Sequence, residues 1–320
     1  MNDHPLVSII IVNFNGKKNL KNCLNSLLKI DYPNYEIILV DNNSSDDSIE
    51  FVKNNFPKIM IIKLEKNYGF AEPNNIGAKN ARGAFLLFLN NDTTVDPNFI
   101  SELVRVITQN SKIAICQSLL LKPNGDIDSS GDFVDIYGRA FNSHNKVTSV
   151  QRILSARGAS MLINKKIFQE LGGFDENFFA SFEDVDLGWR ACICGYDVML
   201  VPNSIVYHEG SQTIKKISSD LVFHSTKNNL MLSLVNFEIS YALKSLFTML
   251  FVIMARKLFK VKIIKDLEQP PPLPSFKNLI HGSCWVFKNF KHITEKRKLL
   301  NSKRKRSTKE LVKMGLITKI

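Results

Sequence analysis

The sequence predicts an α/β fold built on a mostly parallel sheet with helices on both faces. Three observations carry that expectation. Short β-rich runs alternate with helical patterns through the first half. Several of those runs end in polar turns bearing a carboxylate. The chain has 320 residues, 44% of them apolar, enough to bury a sizeable core.

The elements follow in order. Val7 to Val12 is nearly continuous in β-branched residues, as in a strand buried on both faces. Leu20, Cys23, Leu24, Leu27 and Leu28 then fall at helical spacing. Tyr35 to Val40 reads as a second strand, ending in Asp41-Asn42-Asn43-Ser44-Ser45-Asp46-Asp47-Ser48, a run of capping and turn residues. Ile59 to Leu64 and Ala84 to Leu89 read as further strands, the latter leading into Asn90-Asn91-Asp92. Ile113 to Leu121 is another apolar run, followed by a turn at Pro123-Asn124-Gly125-Asp126. Residues 126–156 show no clear period and read as a loop region near the site. A strand over Arg157 to Ile163, a helix from Lys165 to about Leu171, and strands at Val198 to Val201 and Ser204 to Tyr207 complete this part, with His208 closing the last strand.

After about Thr213 the character changes. Leu243, Leu246, Phe247, Leu250, Phe251, Met254 and Leu258 share one helical face, widened by Met249, Val252 and Ile253. Lys244 and Arg256-Lys257 make the run shorter than the roughly 20 apolar residues a spanning helix needs. Two readings stay open for it: a place in a membrane interface, or packing on the preceding domain. Pro270-Pro271-Pro272 reads as a linker, and the tail carries Lys296-Arg297-Lys298 and Lys303-Arg304-Lys305-Arg306. The formal net charge of +12, concentrated in the last third, favours anionic partners. Five cysteines without a paired framework, and an N-terminus without a secretion-signal pattern, lead to the expectation of a cytoplasmic protein. Cys192 and Cys194 have no second pair and read as packed thiols.

The chemistry is read from carboxylates. Glu183, Asp184 and Asp186 crowd three acids into four positions beside Phe178, Phe179 and Phe182, which costs free energy unless a cation or a proton-transfer role compensates. Arg190 is the nearby cation, and Asp184 is the expected general base; the plain alternative is a solvated, acidic helix N-terminus. Asp41 and Asp92 lie at the carboxyl ends of strands, where open α/β sheets bind ligands, although either could be a helix cap. Asp92 offers a hard oxygen and His208 a nitrogen to a divalent cation, Mg or, with the histidine, Mn. Such a set suits an enzyme acting on a phosphorylated substrate.

Six motifs carry a family resemblance: Ser8 to Gly16, Val40 to Asp46, Asn67-Tyr68-Gly69-Phe70-Ala71, Leu87 to Asp92, Gly172 to Glu176 and Glu183 to Leu187. In this order, over about Val7 to Gly210, the chain resembles family 2 glycosyltransferases, especially a rhamnosyltransferase-like branch. The resemblance implies a GT-A fold at 1–212, with a nucleotide-binding half at about 1–95 and an acceptor-side half at about 96–212, and a helical, basic C-terminal region at 213–320. It implies a dTDP- or UDP-sugar donor, inversion at the anomeric carbon, and a glycan or polyprenyl-linked acceptor in surface polysaccharide synthesis. By position, Asp184 is the base. Asn13, Asp41, Asn67, Asn75 and Asn91 face the donor, Glu183, Asp186 and Arg190 the acceptor, and Asp92 and His208 the metal. Asn90 replaces the first acid of the family's metal-binding triplet, and Glu72-Pro73 interrupts a stretch that relatives fill with small residues.

Two competing classes remain. A sugar-phosphate nucleotidyltransferase would need a Gly-rich basic loop after the first strand, which Asn13-Phe14-Asn15-Gly16 is not. A non-enzymatic reading uses the basic tail, with Trp285, Phe287 and Phe290, to bind nucleic acid; an anionic membrane surface is the simpler partner for such a tail, at the inner face of the cell membrane.

Overall fold

The computed structural model describes residues 4–210, 219–259 and 276–319. Its first half follows the expected alternation: β1 (Val7–Asn13), α1 (Lys17–Leu27), β2 (Tyr35–Asp41), α2 (Ser48–Asn55), β3 (Met60–Lys63), α3 (Ala71–Asn80), β4 (Phe85–Asn90), β5 (Thr93–Val95), α4 (Phe99–Ile107) and β6 (Ile113–Leu121). Next come β7 (Ile127–Ser129), β8 (Asp132–Asp135), β9 (Ala140–Asn142), β10 (Gln151–Ile153), β11 (Ser160–Asn164), α5 (Lys165–Leu171), α6 (Glu183–Ile193) and β12 (Asp197–His208). The C-terminal part adds α7 (Ser219–Asn236), α8 (Ile239–Phe259), α9 (Phe276–Lys288), α10 (Phe290–Lys303), α11 (Thr308–Lys313) and β13 (Ile317–Thr318).

The main sheet runs β10-β12-β6-β11-β4-β1-β2-β3, with β5 and β7 attached to β12 and β6. β3, β2, β1 and β4 are parallel neighbours, while β11 is antiparallel to both β4 and β6. Because side chains alternate across a strand, Ile9 and Ile11 pack into one core with Leu20, Leu24 and Phe99, while Ile10 packs into the other with Phe88, Phe174 and Trp189. Both faces of the sheet are thus covered, which explains the unbroken apolar runs. Local signals hold where chemistry demands them: the Asn164 side chain accepts from the Lys166 and Ile167 amides to start α5, and Gly172, at φ 85°, ends it in a left-handed cap.

Two expectations are corrected. Residues 126–156 are not a loop: they hold β7 to β10, strands of three or four residues too short to show a period. The paired runs around Pro202-Asn203 form one strand, β12, whose register against β6 shifts between Val201 and Ile205 to accommodate the proline.

The basic C-terminus is also not a free tail. Ile293, Leu300, Leu311, Leu316 and Ile317 are buried in the same core cluster as Phe88 and Phe174, and β13 pairs in parallel with β8. Several of its charges are spent inside the molecule. Arg306 bonds Asp197 at 2.8 Å and the Tyr196 carbonyl at 2.6 Å, Arg304 the Asn236 carbonyl at 2.8 Å, and Lys303 the Glu170 carbonyl at 2.7 Å; Arg297 bonds the Leu234 carbonyl. The Pro270-Pro271-Pro272 linker lies outside the described residues, as do the side chains of Val252, Ile253, Met254 and Leu258. Among the described residues, no helix is long and apolar enough to cross a membrane.

Candidate active site

The carboxyl ends of β1, β2 and β4 lie side by side, because register pairs Asn13 with Asp41 and Val12 with Asn90. Asp41 is buried; one carboxylate oxygen accepts from the Ser44 amide at 3.3 Å, and Oδ1 has no protein partner. An unmatched buried acceptor at a strand end is what a ligand's N–H would satisfy. Asn42 donates to Asn67 Oδ1 at 2.8 Å and to the Gly69 carbonyl at 2.7 Å, which folds the 65–70 loop over this edge.

Metal-ligating geometry comes from pairing. β5 runs antiparallel to the end of β12, with Thr93 opposite His208, so the residue before β5 meets the last residue of β12. His208 Nε2 lies 3.4 Å from Asp92 Oδ1, and Nδ1 lies 2.9 Å from Asp128 Oδ2 on the short strand β7. Burial depresses the imidazole pKa, but the bonds to Asp128 and Asp92 outweigh it and hold the pKa up at about 9. Among the described residues, no three His, Cys, Asp or Glu side chains converge as a ready-made metal site. The residues present nevertheless fit a cation completed by phosphate oxygens. With the imidazole protonated, both ring N–H groups point at carboxylates; a bound cation would displace the Nε2 proton while Nδ1–H stays on Asp128, and a separation of 3.4 Å suits two ligands on one ion.

Asp184, the expected base, sits on the first turn of α6. Asp184 Oδ2 accepts from the Gly158 amide at 3.1 Å and Oδ1 from the Val185 amide at 2.8 Å, while Ser155 Oγ donates to the Asp184 carbonyl at 2.6 Å. Close approach is what Gly188 permits, since a Cβ there would meet Ser155 Cα at 2.6 Å. The turn entering α6 is strained: Phe179, Ser181 and Phe182 all have positive φ, at 56°, 72° and 71°. Asn228 of α7 holds it, donating to the carbonyls of Phe178, Ala180 and Ser181 at 2.7–2.9 Å.

Arg157 joins the halves. It approaches Asp132 at 3.4 Å and Asp128 at 3.9 Å, and Asp184 adds to the negative field around it. Asp184 thus bonds the residue next to Arg157, and Asp128, the carboxylate partner of His208, lies 3.9 Å from the Arg157 guanidinium. Burial raises the Asp132 pKa to about 7 despite Arg157. Sequence reasoning missed Arg157, Asp128 and Asp132. Two of these lie on strands too short to read, and the third stands in the short connection before β11, where an arginine carries no special signal.

The acceptor-side expectation is corrected at three positions. Asp186 is fully buried and bonded to Arg190 at 2.8 Å, Lys296 at 3.1 Å and Asn236 at 2.9 Å. Arg190 spends its other donors on the Leu171 and Gly173 carbonyls, so both groups brace α6 from behind. Glu183 is also buried, with Oε2 unpartnered; burial first, then the Asp184 and Asp186 charges, push its pKa well above the usual range. Two donor-side expectations change as well. Asn13 is fully buried, bonding Ser44, Ser48 and Asn91. Asn75 uses its amide to hold the Phe174 backbone at 2.8 and 3.0 Å. Asp41 ends β2, Asn91 follows β4 and Asn67 is joined to this edge through Asn42. Cys192 and Cys194 are free, buried thiols.

Fold and site together define a class, an α/β protein with carboxylates and a histidine gathered at the carboxyl ends of its strands. The model of glycosyl transferase family 2 matches residues 8–172, just over half of the chain, so the chain belongs to that family of transferases and has its GT-A fold. It is 31% identical over 226 residues to the O-antigen biosynthesis protein RfbC of Myxococcus xanthus, covering 65% of this chain but only 18% of RfbC. The structure of GalNAc-T7 with UDP, GalNAc and Mn2+ superposes with a TM-score of 0.63 at 19% identity, over 90% of this chain and 58% of that one. Residues 1–349 of Staphylococcus aureus TarS in complex with UDP-GlcNAc give 0.57 at 18% identity, over 92% and 90%.

Proposed function

We propose that this protein transfers a sugar from a nucleoside diphosphate to a hydroxyl of a glycan acceptor, with inversion. The observation that supports the reading is that Asp184 accepts from the Gly158 amide, next to Arg157, while Arg157 lies 3.9 Å from Asp128, the carboxylate bonded to His208 of the Asp92–His208 pair. Asp184, held by two backbone N–H groups, takes the acceptor's proton as the hydroxyl oxygen bonds the anomeric carbon and the bond to the diphosphate breaks. Glu183 is buried beside Asp184, where burial and the Asp184 and Asp186 charges disfavour its ionised form. Asp41, Asn67 and Asn91 bind the donor, with Asp41 Oδ1 open to a base N–H. Asp92 and His208 would hold a divalent ion, Mn or Mg, which supplies positive charge to the leaving diphosphate when bound.

The names of relatives point to UDP-sugars and surface polysaccharide; rhamnose from dTDP-rhamnose is the finer alternative for the donor. A lipid-linked acceptor at the inner face of the cell membrane suits the apolar C-terminal helices. The test is incubation with a panel of UDP- and dTDP-sugars, a glycan acceptor and Mn, with and without EDTA, reading products by mass spectrometry. A disaccharide product lost with EDTA is the expected result. Absence of any product across donors and acceptors, with nucleotide binding intact, overturns the reading.

A further inference from the structure

The C-terminal helices are built inside out. Among the described side chains of α8, the buried ones are Ala242 and Ser245, a small residue and a hydroxyl that bonds the Tyr137 carbonyl at 2.7 Å. The opposite face carries Ile239, Leu243, Phe247, Leu250 and Phe251, spaced at four, eight, eleven and twelve residues from the first, with Phe247 68% and Phe251 72% exposed. A helix packed on a water-soluble domain shows the reverse arrangement. α9 repeats the pattern: Leu279 and Gly282 pack inward, where a Cβ on Gly282 would meet Thr226 and Leu230, while Ile280 and the 83%-exposed Phe287 point outward, followed by exposed Phe290. Of the sixteen large apolar side chains exposed among the described residues, eight lie between Ile239 and Phe290.

Charge decides the occupant. Neither α8 nor α9 contains an Asp or Glu, whereas Lys244, Lys277, Lys288 and Lys291 are exposed beside these stripes; Glu238, the residue before α8, is half-buried and accepts from the Thr308 amide, and Glu295 of α10 faces Lys291 at 4.0 Å. A second copy of the chain would bring the same positive surface against itself. An anionic bilayer instead accepts phenylalanine and leucine at the acyl boundary and lysine at the headgroups. In the basic tail, which the sequence suggested for this role, Lys296, Arg297, Lys303, Arg304 and Arg306 are bonded to groups of the protein.

We propose that the outward faces of α8 and α9 dock this protein on an anionic lipid surface. The inference stands on these helices alone and does not depend on the transfer reaction. The test is cosedimentation of the full chain with phosphatidylglycerol-containing and phosphatidylcholine-only vesicles, alongside Phe247→Glu/Phe251→Glu and Phe287→Glu variants. These side chains are exposed, so the variants keep the fold, checked by an unchanged melting temperature. Salt-sensitive binding to the anionic vesicles that drops at least about tenfold in the double variant is expected. No binding by the unmodified protein, or equal binding by the double variant, overturns it. So does a light-scattering mass showing a dimer that the double substitution dissociates, which would assign the face to a second copy.

Discussion

Lys296 gives the most direct test of how the base is held. Its Nζ lies 2.5 Å from Asp175 Oδ2 and 3.1 Å from Asp186 Oδ2, tying α10 to the turn before α6 and to α6 itself, two residues beyond Asp184. The lysine side chain is 16% exposed and both carboxylates are almost fully buried. Lys296→Met removes one cation from a buried cluster, a loss that costs about 3–5 kcal/mol when the partner is left alone. Here Asp186 keeps Arg190 and Asn236, and Asp175 keeps His292 and two Asn177 donors, which places the cost at the lower end, about 3 kcal/mol. With an unfolding entropy of about 2.1 cal/mol/K per residue, that is a loss of roughly 4–5 °C in melting temperature for this chain. The sign with pH follows from the carboxylates. Although burial alone would raise both pKa values, Lys296 at Asp175, and Arg190 with Lys296 at Asp186, hold them below the ordinary value. Their contribution is therefore present above the unfolded carboxylate pKa near ~4 and fades as pH falls below it. Urea unfolding of both proteins between about pH 7 and about pH 3 reads the difference. Equal stability at neutral pH, or a gap that widens in acid, refutes the bracing role.

The remaining predictions concern the cleft. Asp184→Asn keeps the size and loses the proton acceptor, so kcat falls by about 10²–10⁴ while UDP affinity by calorimetry stays within about twofold; near-normal turnover removes Asp184 from the chemistry. His208→Ala weakens Mn2+ binding in the presence of UDP, measured by electron paramagnetic resonance titration, and unchanged affinity rejects it as a ligand. Asp128→Ala frees the His208 ring and lowers the same affinity by about 10–100-fold, with Asn at that position restoring much of it because an amide oxygen still accepts from Nδ1–H. Gly188→Ala places a Cβ 2.6 Å from Ser155 Cα, shifting α6 and destabilising the protein by about 1–3 kcal/mol in chemical denaturation.

Much of the site was legible because its residues end long, buried strands. Asp41 and Asp92 follow apolar runs whose length and β-branched content identify them, and position at a strand's carboxyl end then carries meaning independent of sheet order. Asp184 was legible for a different reason: three acids in four residues is an arrangement whose cost demands compensation. What composition could not apportion is which acid faces the cleft. Asp186 and Glu183 point inward because the first turn of α6 rotates successive side chains by about 100° each, and the compensating lysine comes from a helix over a hundred residues away. Asp128 was invisible because β7 has three residues, fewer than two periods of alternation.

The apolar face of α8 shows where sequence pattern stops and structure begins. Periodicity reports that one side of the helix differs from the other, and by itself it leaves packing and interfacial placement equal. The difference lies in what occupies the other side. Ser233, Ser245 and the Tyr137 carbonyl form a hydrogen-bonded seam with the domain, and Gly138 fits beside it because a Cβ would meet Ser245 Oγ at 2.4 Å. Small and polar groups therefore already satisfy the domain-facing side, and the phenylalanines are left facing outward. The basic tail reverses in the same way. A run of lysine and arginine looks like a solvated or membrane-bound segment until its partners are known, and Asp175, Asp186, Asp197 and a row of helix-end carbonyls are those partners. The charge that suggested a membrane anchor instead helps hold the catalytic helix in place.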